Sequence, residues 1–301
     1  MSRYSNFGFN CTSDFRLSNT TIPFRQTWKH FSEVLCSCRM SRNMSNHLER
    51  TADVRRAEVT SDASVIQIQD ISPTVKALKL QVKNENFSFM AGQWVDFFIP
   101  NLDVVGGFSM YTSPRMLEKS KVLGLAVKYS THPPAHWIHK KCKVGDIVSL
   151  KVGGECVWDP RSPGSRKNTL LIAGGIGINP IFSILQHIED SKSSFNENGH
   201  DVGKSVLLYS SSTTDGLIFK KELDLLSNKS PTISCHFSTT KEANGKRINA
   251  VDVSNALKTL STGKQGVQCF LCGPPPMIQN MIQILKENGV NSTDINYEQW
   301  W

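Results

Sequence analysis

The chain contains no stretch approaching the roughly 18 consecutive apolar residues that a membrane-spanning helix needs, so a transmembrane arrangement is set aside. Cysteine is sparse, eight in 301 residues, whereas a disulfide framework belongs to short secreted chains dense in cysteine. A reducing compartment is the simpler inference. Cys269 and Cys272 have C-x-x-C spacing and Cys36 lies near Cys38, but neither pair has a second pair to complete a zinc site. No C-x4-C-x2-C run exists for a plant-type iron–sulfur centre. His132, His136 and His139 fall at helical ligand spacing, yet Pro133-Pro134 argues against His132, and a solvated helix face is preferred to a metal site. Beyond residue 50 a basic stripe with interleaved aromatics is also missing, despite a net charge of +8 for the chain, so nucleic-acid binding is the less favoured expectation.

Much of that charge sits at the start. Residues 1–50 hold seven Lys/Arg against three acids, are rich in Ser and Thr, and show no sustained period of 2 or 3.6. That composition is expected of a mitochondrial transit peptide, with a disordered cytosolic tail as the alternative. Without a period that could join a core, the segment is expected to be dispensable for the fold.

What is present is a change of hydrophobic period between Thr169 and Ile188. Leu170, Leu171 and Ile172 form a short continuous apolar run, as a parallel strand covered on both faces requires. Ile181, Ile184, Leu185 and Ile188 then recur at helical spacing. Between them lie Gly174, Gly175, Ile176, Gly177, Ile178, Asn179 and Pro180, with Asn179 placed as N-cap and Pro180 suited to the first helical turn. A strand, a tight glycine turn and a helix N-terminus together make a seat for a pyrophosphate. Gly175-x-Gly177-x-x-Pro180 is the dinucleotide fingerprint with proline in place of the third glycine; the alternative is a turn that packs helix on sheet and binds nothing.

The surrounding pattern divides. From Arg56 to about Pro160, short strands are expected at Glu58–Gln69, Thr74–Val82, Gln93–Ile99, Gly107–Ser113, Val122–Val127 and Asp146–Val152, with one helix at Ala135–Lys141. After Asn168, strands at Leu170–Ala173, Ser205–Tyr209, Ile233–Ser238 and Val267–Leu271 alternate with helices near Ile181–Ile188, Leu217–Leu226, Val251–Leu260 and Met277–Asn288; Asp190–Lys204 reads as a loop. The fold class is therefore all-β plus α/β, a six-stranded antiparallel barrel followed by a parallel-sheet domain.

The ordered series Gly107-Phe-Ser-Met-Tyr-Thr-Ser113-Pro, Leu170 to Pro180, Phe219-Lys-Lys-Glu-Leu223, Cys272-Gly-Pro-Pro-Pro-Met277 and Glu298-Gln-Trp-Trp301 resembles the landmarks of the ferredoxin–NADP reductase superfamily over roughly residues 56–301. The resemblance implies a flavin-binding barrel over 51–166 and a nicotinamide dinucleotide domain over 167–301. It implies FAD and NAD, or NADP, as cofactors, with electrons passed to an unidentified acceptor. Phe108 would lie along the isoalloxazine ring, Ser109 near its N5, and Lys128 near its phosphates. Gly273 and Pro274 would join the dinucleotide turn. Cys272, Glu298 and Trp301 would complete the catalytic end, with Trp301 as the stacking ring. Two departures stand against this. The superfamily's phosphate-binding arginine is replaced by Gly106, and Thr131-His-Pro-Pro-Ala135 stands where a Gly-rich helix start is usual. A non-catalytic nucleotide-binding protein with a decayed flavin site is the rival expectation. Ser210, Ser211 and Ser212, without the arginine common in NADP members, tilt the expectation to NAD, although Lys220 and Lys221 could restore a phosphate site.

Overall fold

The computed structural model describes residues 47–162, 167–197, 203–261 and 266–299. The expectation for the N-terminal segment therefore lies outside the described residues except at 47–50, and Trp301 lies outside them altogether.

All six expected strands of the first half are present: β1 (Arg56–Ser72), β2 (Val75–Val82), β3 (Trp94–Phe98), β4 (Gly106–Ser109), β5 (Val122–Lys128) and β6 (Ile147–Gly153). They pair antiparallel in the order β4-β3-β6-β1-β2-β5. A bridge between Met110 and Leu125, with the Tyr111 N–H donating to Gly124 O at 3.0 Å, brings the ends together into a barrel. The long β1 serves two partners, β6 along its first half and β2 along its second, and a register shift between Val65 and Gln67 bends it between them. Side chains alternate. Leu78, Leu80, Val95, Phe97, Leu123, Leu125, Val148 and Leu150 fill the interior, whereas Trp94 and Asp96, one residue out of phase, face outward.

Two short helices flank the barrel, α2 (Pro114–Ser120) and α3 (Pro133–Lys140). The sequence gives no period for α2, because Pro114 to Ser120 barely spans two turns.

The second half is a five-stranded parallel sheet of β7 (Asn168–Gly174), β8 (Ser205–Ser211), β9 (Ile233–Thr239), β10 (Val267–Gly273) and β11 (Ile295–Gln299), in the order β11-β10-β7-β8-β9. It is crossed by α4 (Ile178–Glu197), α5 (Lys220–Lys229), α6 (Ala250–Leu260) and α7 (Pro275–Glu287). The chain order reverses between β7 and β10, which opens a crevice at the carboxyl ends of those two strands. The stretch after Asp190, expected as a loop, continues α4 to Glu197 instead. Its polar composition carries no apolar period from which a helix could be read.

One face of α4 joins the halves. Asn179 Nδ2 donates to Ala126 O, Ser183 Oγ to Thr112 O and Gln186 Nε2 to Tyr111 O, each at 2.7 Å. Ser113 Oγ donates to Asp190 Oδ2 at 2.6 Å. Spacings of four, three and four residues place all of them on one helical face, beside the apolar stripe of Ile181, Ile184, Leu185 and Ile188.

The helical turn α1 (His47–Arg50), part of the segment expected to be dispensable, packs on the outside of the barrel. His47 is buried, lies edge-on to Trp94 at 4.7 Å, and sets Nε2 3.0 Å from Asp96 Oδ1. Arg56 Nε approaches the other carboxylate oxygen at 2.7 Å. A Cβ at Gly107 would stand 2.2 Å from the imidazole, so glycine in β4 makes the seat. Burial alone would raise the pKa of Asp96, but hydrogen bonds from His47 and Arg56 outweigh it and hold the carboxyl below its ordinary value.

Two outcomes follow. A chain starting at Thr51 will be less stable than one starting at Asn46 by about 1–3 kcal/mol, read as a melting temperature lower by roughly 3–10 °C; equal melting temperatures would mean that His47 adds nothing. Because Asp96 is depressed in the folded state, its stabilisation is complete above the ordinary value of 3.8 and is lost as pH falls below it. Acid unfolding followed by circular dichroism should accordingly be less steep in Asp96→Asn.

Candidate functional site

β7 leaves the sheet into a tight turn at Gly175–Gly177, and α4 starts directly afterwards at Ile178. The helix therefore begins before Asn179, which is not its N-cap: the Asn179 side chain turns back to the barrel carbonyl of Ala126. Gly174 stands at the cap position in extended conformation, and no side chain caps the turn. The glycines have different reasons to be glycine. Gly175 adopts φ +55°, and a Cβ there would meet no protein atom within 4 Å, so its open side faces the crevice. At Gly177 a Cβ would stand 2.3 Å from Cys272 O, so this glycine lets the turn rest on β10. Gly273 closes against Gly174, its added Cβ coming within 3.2 Å of the Gly174 Cα, and Pro274 caps α7. Gly174 to Pro180 and Gly273-Pro274 thus meet at the switch point between β7 and β10, where an uncapped helix start faces open space.

Across from this turn lies the outer face of β3 and β4. Ser109 pairs in register with Trp94, is 5% exposed, and its Oγ has no hydrogen-bond partner among the described residues. Phe108 points the other way, its half-buried ring 5.5 Å from Phe97 and over Gly106. At Gly106, where the superfamily's arginine is missing, a Cβ would stand 2.6 Å from the Phe108 ring and 2.9 Å from Pro134. The α3 start carries Pro133 and Pro134, which have no N–H to offer, and the His136 N–H is used by His132 O. This helix start therefore offers an anion few main-chain donors. Lys128, the last residue of β5, is exposed. His139 Nε2 lies 2.9 Å from Val127 O, a structural contact.

Cys272 is buried near the end of β10 and pairs in register with Ala173 on one side and Glu298 on the other. β11 covers β10 on that side. Glu298 is enclosed between β11 and the barrel. Burial pushes its carboxyl up to about 8, and the nearby Trp94 side chain opposes the rise only in part. Its Oε2 has no hydrogen-bond partner among the described residues. The thiols nearby and elsewhere are kept protonated by burial: those of Cys142, Cys235 and Cys269 are pushed up to about 12, and that of Cys156, beside Glu298, is raised further.

At the far end of the crevice, Ser210 and Ser211 end β8 and Ser212 follows it, and the next turn, Thr214–Gly216, is held by an acid that the sequence did not single out. Glu242 accepts from the Thr214 N–H at 2.6 Å and from its hydroxyl at 2.8 Å. Lys220 pairs with Asp224 at 2.6 Å and lies over Phe237, whereas Lys221 is exposed. Trp94 and Glu242 were both missed, because neither lies in a motif and each acts across a large separation in sequence.

Residues 171–283 match the family model described as the oxidoreductase NAD-binding domain. Oxidoreductase NAD-binding domain-containing protein 1 of Pongo abelii is 42% identical over 289 residues, covering 91% of this chain and 90% of that protein. The human protein of the same name is 41% identical over 285 residues, with the same coverage of 91% and 90%. Among solved structures, a ferredoxin NADP+ reductase from Neisseria gonorrhoeae with bound FAD and NADP superposes with a TM-score of 0.64 at 22% identity, over 80% of this chain and 99% of that one.

The two glycines of the turn should separate by substitution. Gly177→Ala will lower the melting temperature, because its Cβ meets main chain, whereas Gly175→Asn, a residue that tolerates positive φ, will keep the fold and lose NADH affinity. Unchanged NADH binding in folded Gly175→Asn would make the turn purely structural. Glu298 adds a pH signature. Between its ordinary value of 4.5 and about 8 the folded state holds a proton that the unfolded chain has released, so stability falls as pH rises across that window. Glu298→Gln should remove that slope from denaturation midpoints.

Proposed function

The chain belongs to the oxidoreductase NAD-binding domain-containing protein 1 family, and from that premise we propose that it is a flavin-dependent reductase, passing hydride from a nicotinamide dinucleotide to FAD and electrons onward to an acceptor. One observation carries the proposal. Ser109 Oγ and Glu298 Oε2, two buried polar atoms without hydrogen-bond partners among the described residues, lie on either side of Trp94 where the barrel meets the sheet. Buried polar groups are seldom left unpaired without a ligand to receive them.

FAD, when bound, supplies the exchange between two-electron and one-electron chemistry. The chain's residues do the rest. The main-chain N–H groups of the Gly174–Gly177 turn and the start of α4 hold the nicotinamide pyrophosphate. Ser109 donates to or accepts from the polar edge of the flavin, and Phe108 supports the strand from the barrel side. Glu298, protonated at neutral pH, keeps a proton within the closed end of the site. Cys272 shapes the wall beside it. The phosphate end fits FAD less well, since Gly106 and the two prolines of α3 remove an arginine and two N–H donors, leaving exposed groups such as Lys128 to supply charge. Weak retention of FAD during purification follows from that poverty.

The same arrangement favours NAD over NADP. Glu242 fixes the turn after β8, and a carboxylate there repels the extra phosphate of NADP. Import into mitochondria is proposed as well, on the composition of residues 1–50.

The second reading, a non-catalytic nucleotide-binding protein, is favoured by Gly106 alone. A visible spectrum decides between them: protein mixed with excess FAD should acquire a perturbed flavin spectrum that NADH bleaches anaerobically. NADH binding without any flavin uptake would establish the second reading instead. For the nucleotide preference, Glu242→Gln should strengthen NADPH binding about tenfold while changing NADH binding little. Equal gains for both nucleotides would remove Glu242 from the selectivity argument.

A further inference from the structure

The barrel exposes an apolar cluster at the end of β6 that points away from the crevice. β6 runs from Ile147 to Gly153, and Gly153 is the ladder partner of Trp94, which itself pairs with Ser109. Its seven residues span about 20 Å, so whatever binds at the Ile147 end leaves the crevice open. The turn before β6, Lys143-Val144-Gly145-Asp146, is locked. The Lys143 N–H donates to Asp146 Oδ2 at 2.9 Å and the Asp146 N–H to Lys143 O at 3.2 Å, while Gly145 takes φ +96° with no atom within 4 Å of where a Cβ would stand.

A turn of this kind is ordinarily polar, yet Val144 occupies it and is 64% exposed. Beside it stand Ile147, 47% exposed, and Ile66, 43% exposed. The β1 bulge brings Ile66 there. Pairing with β2 passes from Val65–Leu80 to Gln67–Lys79 and skips Ile66, while the Val65 N–H donates to Asp146 O and the Gly145 N–H to Val65 O, each at 2.8 Å. Ser64 faces Ile147 in the β1–β6 ladder, which sets Ile66 diagonal to Ile147 on the outer face, with Val65 and Val148 turned into the core. Single exposed hydrophobes need no explanation, but three held together by a bulge and a locked turn do.

Cations surround them. Lys140 ends α3, Lys141 follows it, and Lys143 opens the turn, all three exposed. Among the described residues none of the three makes an ion pair, whereas Lys76 on β2 has Asp70. Asp146, the acid next in the chain, turns its carboxylate to the Lys143 main chain. The Lys140 ammonium lies 5.5 Å from the centroid of Tyr129, another exposed ring at this end of the barrel.

We propose that this end of the barrel docks on an anionic phospholipid surface, with Val144, Ile147 and Ile66 entering the headgroup region and Lys140, Lys141 and Lys143 meeting lipid phosphates. Charge and shape together choose that occupant. The aliphatic side chains stand on a protruding turn, which a bilayer interface receives without a complementary groove, and lysine meets phosphate as a flexible point charge. Tyr129 adds an amphipathic ring of the kind that settles at headgroup level. Apolar insertion and attraction to anionic lipid are each weak, and they add. This surface goes beyond the reductase reading and does not depend on it.

Sedimentation of the full-length protein with vesicles tests the proposal. Vesicles of phosphatidylcholine with about one third phosphatidylglycerol should carry the protein down, phosphatidylcholine alone should not, and about 0.5 M salt should release most of it. Residues 1–50 are basic as well, so the surface is identified by substitutions within the full chain. Lys140→Gln, Lys141→Gln and Lys143→Gln together should weaken binding about a hundredfold, and Val144→Ser with Ile147→Ser about tenfold. Melting temperatures should stay unchanged, because all five side chains are exposed; should Ile147→Ser fail to fold, Val144→Ser alone at the turn carries the aliphatic arm. Equal binding to both kinds of vesicle, or binding untouched by either set of substitutions, overturns the proposal. Loss with the lysine set alone would mean adhesion by charge without insertion and would also overturn it. No sedimentation with either vesicle would overturn it in favour of an acidic protein as the occupant. Flavin uptake should be the same in every variant, so failure of the reductase reading shows separately.

Discussion

Everything the site does depends on α4 being held at a fixed distance from the barrel. Three of its side chains, Asn179, Ser183 and Gln186, donate to main-chain carbonyls of Ala126, Thr112 and Tyr111, and Asp190 receives the Ser113 hydroxyl. Each bond contributes only about 1 kcal/mol net, but each buried carbonyl it satisfies would otherwise carry the larger cost of desolvation. The bonds therefore act mainly on position. A slide of one helical turn would break all of them together, and with them the meeting of a barrel strand and a sheet terminus on which the enclosed carboxyl depends. Apolar packing of Ile181, Ile184 and Leu185, on the same helix, supplies the bulk of the adhesion without specifying register.

Within that frame, glycine and burial divide the chemistry. Gly177 and Gly273 let main chain lie on main chain at the switch point, Gly174 leaves room for the Met277 side chain, and among these Gly175 alone is turned toward open space. Burial without pairing leaves Ser109 of the barrel and Glu298 of the sheet with unmet hydrogen-bonding capacity. The two kinds of group differ: the glycine turn offers backbone donors to an anion, whereas Ser109 and Glu298 offer side chains governed by their surroundings.

How far the sequence anticipates this depends on the range of the interaction. The six barrel strands, the strand–turn–helix at Leu170 to Ile188 and the alternating second half all follow from local period and turn chemistry, and the structure has them. The extension of α4 to Glu197 is hidden in the sequence because its polar residues carry no apolar period. Asn179 was assigned to a cap on local grounds, and a barrel carbonyl far away in sequence claims its amide. The polar stripe of Asn179, Ser183, Gln186 and Asp190 is visible in the sequence at helical spacing, but such a stripe ordinarily faces water; only the barrel against it gives it a structural meaning. His47 lies in a stretch without period, and the partners that bury it, Trp94, Asp96 and Gly107, stand well beyond any local window.

The buried thiols carry a consequence for a protein that handles electrons. With Cys142, Cys235 and Cys269 held near 12, only about one thiol in 100,000 is ionised at pH 7, and the thiolate is the form that oxidants attack. Cys156, beside the enclosed acid, is protected more strongly still. Reduced flavins release peroxide when oxygen reaches them, so the groups nearest such chemistry are the first exposed to damage. Under the proposed function, keeping these thiols protonated would insulate them from the by-products of flavin turnover.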